Sequence, residues 1–184
     1  MDKIQRLSSR LRLLFLAGIA LVPALQALGW AFYEPAAVRP SLDICSMLVL
    51  GWGAPPVMDG PVTPLMRTLG FAAAMLPGAA AMYGFLCLAR LFRRFGRGEM
   101  FSAATVGLLR RLGWAVLAAQ GLLVVQGTLT SLILTMDNLP GRHILTVGFD
   151  SATLSGAVTG VIVILASWVM DEARKLREEQ DLVI

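Results

Sequence analysis

The sequence has few of the residues from which catalytic and metal sites are built. It contains one histidine and two cysteines in 184 residues. His143 lies between Asp137 and Asp150, and one histidine with two loop carboxylates offers fewer converging ligands than a metal centre needs. No Ser-His-Asp or Cys-His set can be assembled around it. We therefore predict a protein that is not an enzyme, with no catalytic residues, no bound metal and no cofactor.

Charged residues are also scarce, and they are missing from four long apolar runs. Only 15% of the chain is charged and 57% is hydrophobic, whereas a soluble domain is about 25% charged. Each run is about twenty residues long, which is the length needed to cross a hydrocarbon core of about 30 Å. The sequence predicts an all-α polytopic membrane protein, residues 1–184 forming a single four-helix transmembrane domain. Its predicted spans are residues 13–33, 68–89, 112–136 and 153–170.

Lysine and arginine are distributed unevenly between the segments that join these runs. The predicted outer loops hold only three of the sixteen basic residues, Arg39, Arg67 and Arg142. Because cytoplasmic loops collect Lys and Arg, we predict that both termini and the arginine-rich inner connection face the cytoplasm. The joining segments are the outer loops 34–67 and 137–152, the inner connection 90–111 and the tail 171–184.

The inner connection carries a row of arginines at helical spacing. Arg90, Arg93, Arg94 and Arg97 recur every three or four residues, so they share one helical face, from which arginine stems reach toward lipid headgroups. We expect these four and Arg110 to contact anionic lipid, at about 1 kcal/mol per basic residue near the surface. The stretch lacks the spacing of a phosphate-binding loop, and we predict no direct contact with nucleic acid.

The end of the second helix and the start of the third can also be predicted from the connection. Gly96 and Gly98 are expected to end the second helix, since glycine tolerates the left-handed conformation needed there. Ser102 is a suitable N-cap residue. The third helix is therefore predicted to begin near Ala103.

Glycine and proline inside the runs each allow two interpretations. Gly156 and Gly160 form a G-x-x-x-G pattern that permits close approach of two helix backbones, either within the chain or in a homodimer. Pro23 and Pro77 each break a helical hydrogen bond near the middle of a run. Kinks that improve packing are favoured, and a transporter site is the alternative.

Two motifs in the sequence resemble the signature of a bacterial membrane family catalogued as domain of unknown function 2975. The first is "GEMFS" followed by "RLG", and the second is "LREEQDLVI" at the C-terminus. The resemblance covers the whole chain, including four spans and a long first outer loop. The residues that carry it and that we consider candidates for interaction are Gly98, Glu99, Phe101, Ser102, Arg111, Gly113, Leu176, Glu178, Glu179 and Asp181.

The resemblance implies a small four-span protein of the bacterial inner membrane without an established activity, in a family often considered together with small helix-turn-helix regulators. We therefore expect a non-enzymatic regulatory or sensory role that depends on a protein partner. An accessory subunit of a larger membrane complex and a small transporter or lipid-binding protein are the alternatives. The tail is expected either to be a solvated helix or to dock its acids, Glu178, Glu179 and Asp181, on the arginines of the connection. The outer loop 34–67 is the candidate sensing surface.

Overall fold

The computed structural model describes residues 2–33, 58, 60–99, 102–138, 145 and 147–181. Within this part of the chain the regular structure is entirely helical, as predicted. Helix α1 is Asp2–Phe32, α2 is Pro64–Phe95, α3 is Ala103–Leu134 and α4 is Ser151–Asp181.

All four helices are long and apolar enough to cross a membrane. Their most apolar windows have mean hydropathies between 1.6 and 2.0. Each helix has 31 or 32 residues, or about 46 Å at 1.5 Å per residue. The hydrocarbon core needs only about 30 Å, so each helix continues beyond its apolar run. These are the properties of a multi-pass membrane protein.

The chain divides into two compact units, and each helix contributes one segment to each unit. The first unit comprises Met1–Ala20, Ala80–Ala118 and Ser155–Ile184, and the second comprises Leu21–Ala79 and Ala119–Leu154. The inner connection belongs to the first unit. The start of α2 and the end of α1 belong to the second.

A close approach of α3 and α4 organises the first unit. A Cβ atom added at Gly113 would lie 3.0 Å from the Gly160 carbonyl oxygen, and one added at Gly160 would lie 2.8 Å from a Leu117 carbon. Only glycine lets two backbones approach this closely. On α1, the ring of Phe15 stacks on that of Phe92 in α2, with centroids 5.5 Å apart.

A buried tryptophan organises the second unit. The Trp30 ring is 1% exposed and lies against Gly70, where an added Cβ would meet three ring carbons at 2.1–2.3 Å. Tyr33, Ala74 and Leu134 complete this core. The Arg67 guanidinium donates hydrogen bonds to the carbonyls of Trp30, at 2.8 Å, and Ala31. It thereby satisfies carbonyls at the end of α1 that have no partner within the helix.

The two prolines inside helices do not interrupt them. Helix α1 continues through Pro23 and α2 through Pro77. Beside Pro77, a Cβ added at Gly78 would lie 3.4 Å from the Val22 side chain of α1, so α2 packs closely against α1 at this point. Whether the two prolines serve packing or mark a transporter site stays a prediction.

The last helix begins at a side-chain cap. The Asp150 carboxylate accepts hydrogen bonds from the Thr153 amide at 2.7 Å and from the Thr153 hydroxyl at 2.5 Å. These two bonds favour the ionised carboxylate, the hydroxyl more than the amide, and lower the pKa of Asp150. A capping carboxylate also interacts favourably with the positive end of the helix dipole.

Candidate functional site

Of the two glycines predicted to end α2, Gly98 adopts the left-handed conformation, whereas Gly96 does not and its amide still donates to the Phe92 carbonyl. Gly98 has a φ of +78°, and the amide of Glu99 donates to the Arg94 carbonyl at 3.2 Å while the amide of Gly98 donates to the Phe95 carbonyl at 3.0 Å. This pair of bonds is the Schellman motif. A non-glycine residue at position 98 would be strained, which explains why "GE" follows the arginine row at this spacing.

The signature acid Glu99 pairs with an arginine of α2. Its carboxylate lies 2.9 Å from Arg94 Nη1, and the two side chains are 43% and 32% exposed. Such an exposed pair contributes little to the free energy of folding. Its main effect is to hold the Arg94 side chain beside the turn that follows α2.

Ser102 caps α3, as predicted, and the structure adds Thr105 to the cap. The Ser102 hydroxyl accepts a hydrogen bond from the Thr105 amide at 3.2 Å. The Thr105 hydroxyl in turn donates to the Glu99 carbonyl at 2.8 Å and lies 2.9 Å from the Ser102 hydroxyl. Thr105 is fully buried. The sequence alone did not identify Thr105 as part of the cap. The available signal was its position three residues after the N-cap residue Ser102.

Between the end of α2 and the start of α3 lies a concave site that we call the arginine cleft. Its volume is about 580 Å³, within the range of ligand pockets in proteins. The first turns of α3 supply its uncharged wall. The lining residues are Arg90, Arg93, Arg94, Ala103, Ala104, Gly107, Leu108 and Arg111.

The cleft gathers a different set of arginines from the one predicted for lipid headgroups. Arg90, Arg93 and Arg94 line it, as their shared helical face indicated. Arg97 and Arg110 do not line it and are exposed. Arg111, which was singled out only through the family signature, is the fourth arginine of the lining. Which arginines line the cleft depends on how α2 and α3 pack against each other. Helical spacing within a single segment does not contain this information.

Signature residue Gly113 packs within the first unit rather than forming part of the cleft. It is buried and faces Gly160 and Ile164 on α4. Gly160 was predicted to serve helix packing, and its contacts with Leu117 and Gly113 in the same chain agree with the intramolecular interpretation. Gly156 is half-buried. A homodimer remains a prediction.

The tail continues α4 as a charged helix. Arg174 forms ion pairs with Asp171 at 3.2 Å and with Glu178 at 2.5 Å. The side chain of Leu176 is 54% exposed, and that of Glu179 is also exposed. Of the acids predicted to dock on the connection, Glu178 pairs instead with Arg174 on its own helix. On the connection, Arg94 pairs with Glu99 and not with an acid of the tail. The Asp181 side chain lies outside the described residues.

Several predicted features fall outside the described part of the chain. They are His143, Phe101 and most of the outer loop 34–67. Among the residues that are described, no group of three His, Cys, Asp or Glu side chains is placed to hold a metal ion. Cys87 is buried as a free thiol. That the protein binds no metal or cofactor and is not an enzyme remains a prediction.

Comparison with known proteins identifies the family. No match was found among curated proteins or among solved structures. A family model described as "Protein of unknown function (DUF2975)" matches residues 54–184. This match spans more than two thirds of the chain and includes α2, the arginine cleft, the glycine contact of α3 and α4, and the tail. The chain therefore belongs to the DUF2975 family.

Proposed function

We propose that this protein is a non-enzymatic regulatory or sensory component of the bacterial inner membrane that acts through a protein partner in the cytoplasm. A small helix-turn-helix regulator is the partner we favour. The observation that carries the proposal is the tail of α4, which remains helical to Asp181. Past the apolar run it exposes Leu176 and Glu179.

The chemistry of this tail suits a protein contact. Arg174 and its two carboxylate partners keep the helix surface ordered through i,i+3 and i,i+4 pairs. Leu176 lies on this charged segment and leaves an apolar side chain in contact with solvent. A partner helix could bury Leu176 and pair with Glu179, for which no ion pair is found among the described residues.

The test is site-specific photo-crosslinking in living cells. With a benzophenone amino acid at Leu176, we expect a discrete adduct with a small cytoplasmic DNA-binding protein, identified by mass spectrometry. The adduct should disappear when Glu179→Lys is added. The same probe at Ile162, which is 58% exposed within the apolar run, should give no protein adduct of this kind.

Two outcomes would overturn the proposal. An adduct with a large membrane enzyme would favour the accessory-subunit function instead. The absence of any specific adduct at Leu176, with the protein present at normal levels, would remove the partner-dependent function.

A further inference from the structure

The arginine cleft holds more positive charge than the surrounding residues neutralise. Four guanidinium groups line it. Of these four arginines, only Arg94 has an ion-pair partner among the described residues, namely Glu99. Like charges on one concave surface repel each other. An anion bound in the cleft would offset this repulsion.

The chemistry of the lining suits a phosphate group. Guanidinium groups bind phosphate oxygens through two parallel hydrogen bonds. Ala103 and Ala104 are the first two residues of α3 and lie in the cleft wall. Amides of a first helical turn lack intrahelical acceptors, and the helix N-terminus attracts negative charge. The Thr105 amide already has its acceptor in Ser102.

The position of the cleft along the helices points to a lipid as the source of this phosphate. Arg90 directly follows the buried Ala89, and Arg111 directly precedes Leu112 and the apolar part of α3. Both arginines therefore mark the residue at which a helix passes from apolar to polar, which is the level of lipid headgroups. Leu108 and Gly107 add an uncharged wall beside them.

From these observations we propose that the arginine cleft binds the headgroup phosphate of one anionic phospholipid. The bound lipid is held by Arg90, Arg93, Arg94 and Arg111 and by the start of α3. This site goes beyond the proposed partner-dependent function, because it uses the connection and not the tail.

The test is native mass spectrometry of the full-length protein, titrated in detergent with phosphatidylglycerol or phosphatidylcholine. We expect one phosphatidylglycerol to bind in preference to phosphatidylcholine. Each arginine neutralised in the cleft should weaken this binding by about fivefold, and Arg90→Gln with Arg111→Gln by about twentyfold or more. The matched control is Arg97→Gln with Arg110→Gln, which removes the same charge outside the cleft and should leave the preference nearly intact.

A second variant tests the cleft without changing its charge. A Cβ added at Gly107 meets no atom within 4 Å, so Gly107→Leu should fold and place its side chain in the open space of the cleft. We expect it to lose the preference for phosphatidylglycerol. Thermal unfolding in detergent should match that of the wild type for every variant used.

Three results would overturn the proposal. Equal weakening by the cleft pair and the control pair would mean diffuse attraction to a basic surface. Full binding by Gly107→Leu would place the lipid elsewhere. Displacement of phosphatidylglycerol by millimolar inorganic phosphate, with equal affinity for both, would assign the cleft to a free anion rather than to a lipid. The crosslinking result at Leu176 is independent of all three.

Discussion

Replacing Gly70 with alanine is expected to destabilise the protein by about 3 kcal/mol or more, at the upper end of the cost of overpacking a core. The added Cβ would lie 2.1 Å from a Trp30 ring carbon and 2.3 Å from two others. The ring has little room to move, because Trp30 is 1% exposed and packs against Tyr33 with centroids 5.9 Å apart. Unfolding of purified protein in mixed detergent micelles, followed by circular dichroism, measures the loss.

The three atoms nearest to a Cβ added at Gly70 all belong to the Trp30 ring, so a second substitution that removes the ring should relieve the clash. Trp30→Ala alone is expected to cost about 3–5 kcal/mol by leaving a cavity. In that background, Gly70→Ala should cost almost nothing. Gly127→Ala is the matched control, since its added Cβ meets no atom within 4 Å. If Gly70→Ala were as stable as Gly127→Ala, the packing of Trp30 described above would be incorrect.

Replacing Gly113 with alanine is expected to cost about 1–3 kcal/mol through overpacking, and replacing it with leucine should cost more. The added Cβ would lie 2.5 Å from the Ile164 side chain and 3.0 Å from both the Gly160 oxygen and the Ile164 nitrogen. The side chain of Ile164 can rotate away, but the backbone atoms cannot move unless α3 and α4 separate. The same unfolding assay measures this cost.

The backbone contacts at Gly113 distinguish it from Gly70. Shortening the neighbour with Ile164→Ala should restore only part of the stability lost in Gly113→Ala, because the backbone contacts with α4 remain. The control on the same helix is Gly121→Ala, whose Cβ meets nothing within 4 Å. Full restoration by Ile164→Ala would show that the helix backbones are not in close contact at this glycine.

The parts of this fold that depend on residues close together in the sequence could be predicted from the sequence. Runs of uncharged residues indicate spanning helices because of their length and transfer free energy. The end of α2 at Gly98 and the start of α3 at Ser102 follow from backbone preferences of single residues. All of these predictions are confirmed by the structure.

The parts that depend on which helices are neighbours could not be predicted in this way. Arg111 joins Arg90 in one cleft because α2 and α3 meet there, whereas helical spacing alone pointed to Arg97. The packing of Trp30 against Gly70 likewise involves residues on two different helices. No periodicity within one segment contains this information, and only the positions of glycine indicate where a close approach is possible.

The family signature acquires a physical explanation at several of its residues. Gly98 permits a positive φ, Glu99 pairs with Arg94, Ser102 caps α3 and Gly113 allows α4 to approach. Three of these four roles shape the turn between α2 and α3. These signature residues therefore shape the connection on which the arginine cleft depends, and Arg111 is the signature residue that lines the cleft itself.

The central claim is that the chain crosses the membrane four times and that its arginine-rich side lies in the cytoplasm. Cysteine accessibility in spheroplasts tests this claim most directly. Single cysteines would replace Gly60, Val147, Arg97 and Arg177, all exposed, in a variant without Cys45 and Cys87. A membrane-impermeant maleimide should label positions 60 and 147 in intact spheroplasts, and positions 97 and 177 only after permeabilisation. Labelling of position 97 or 177 in intact spheroplasts would contradict the account.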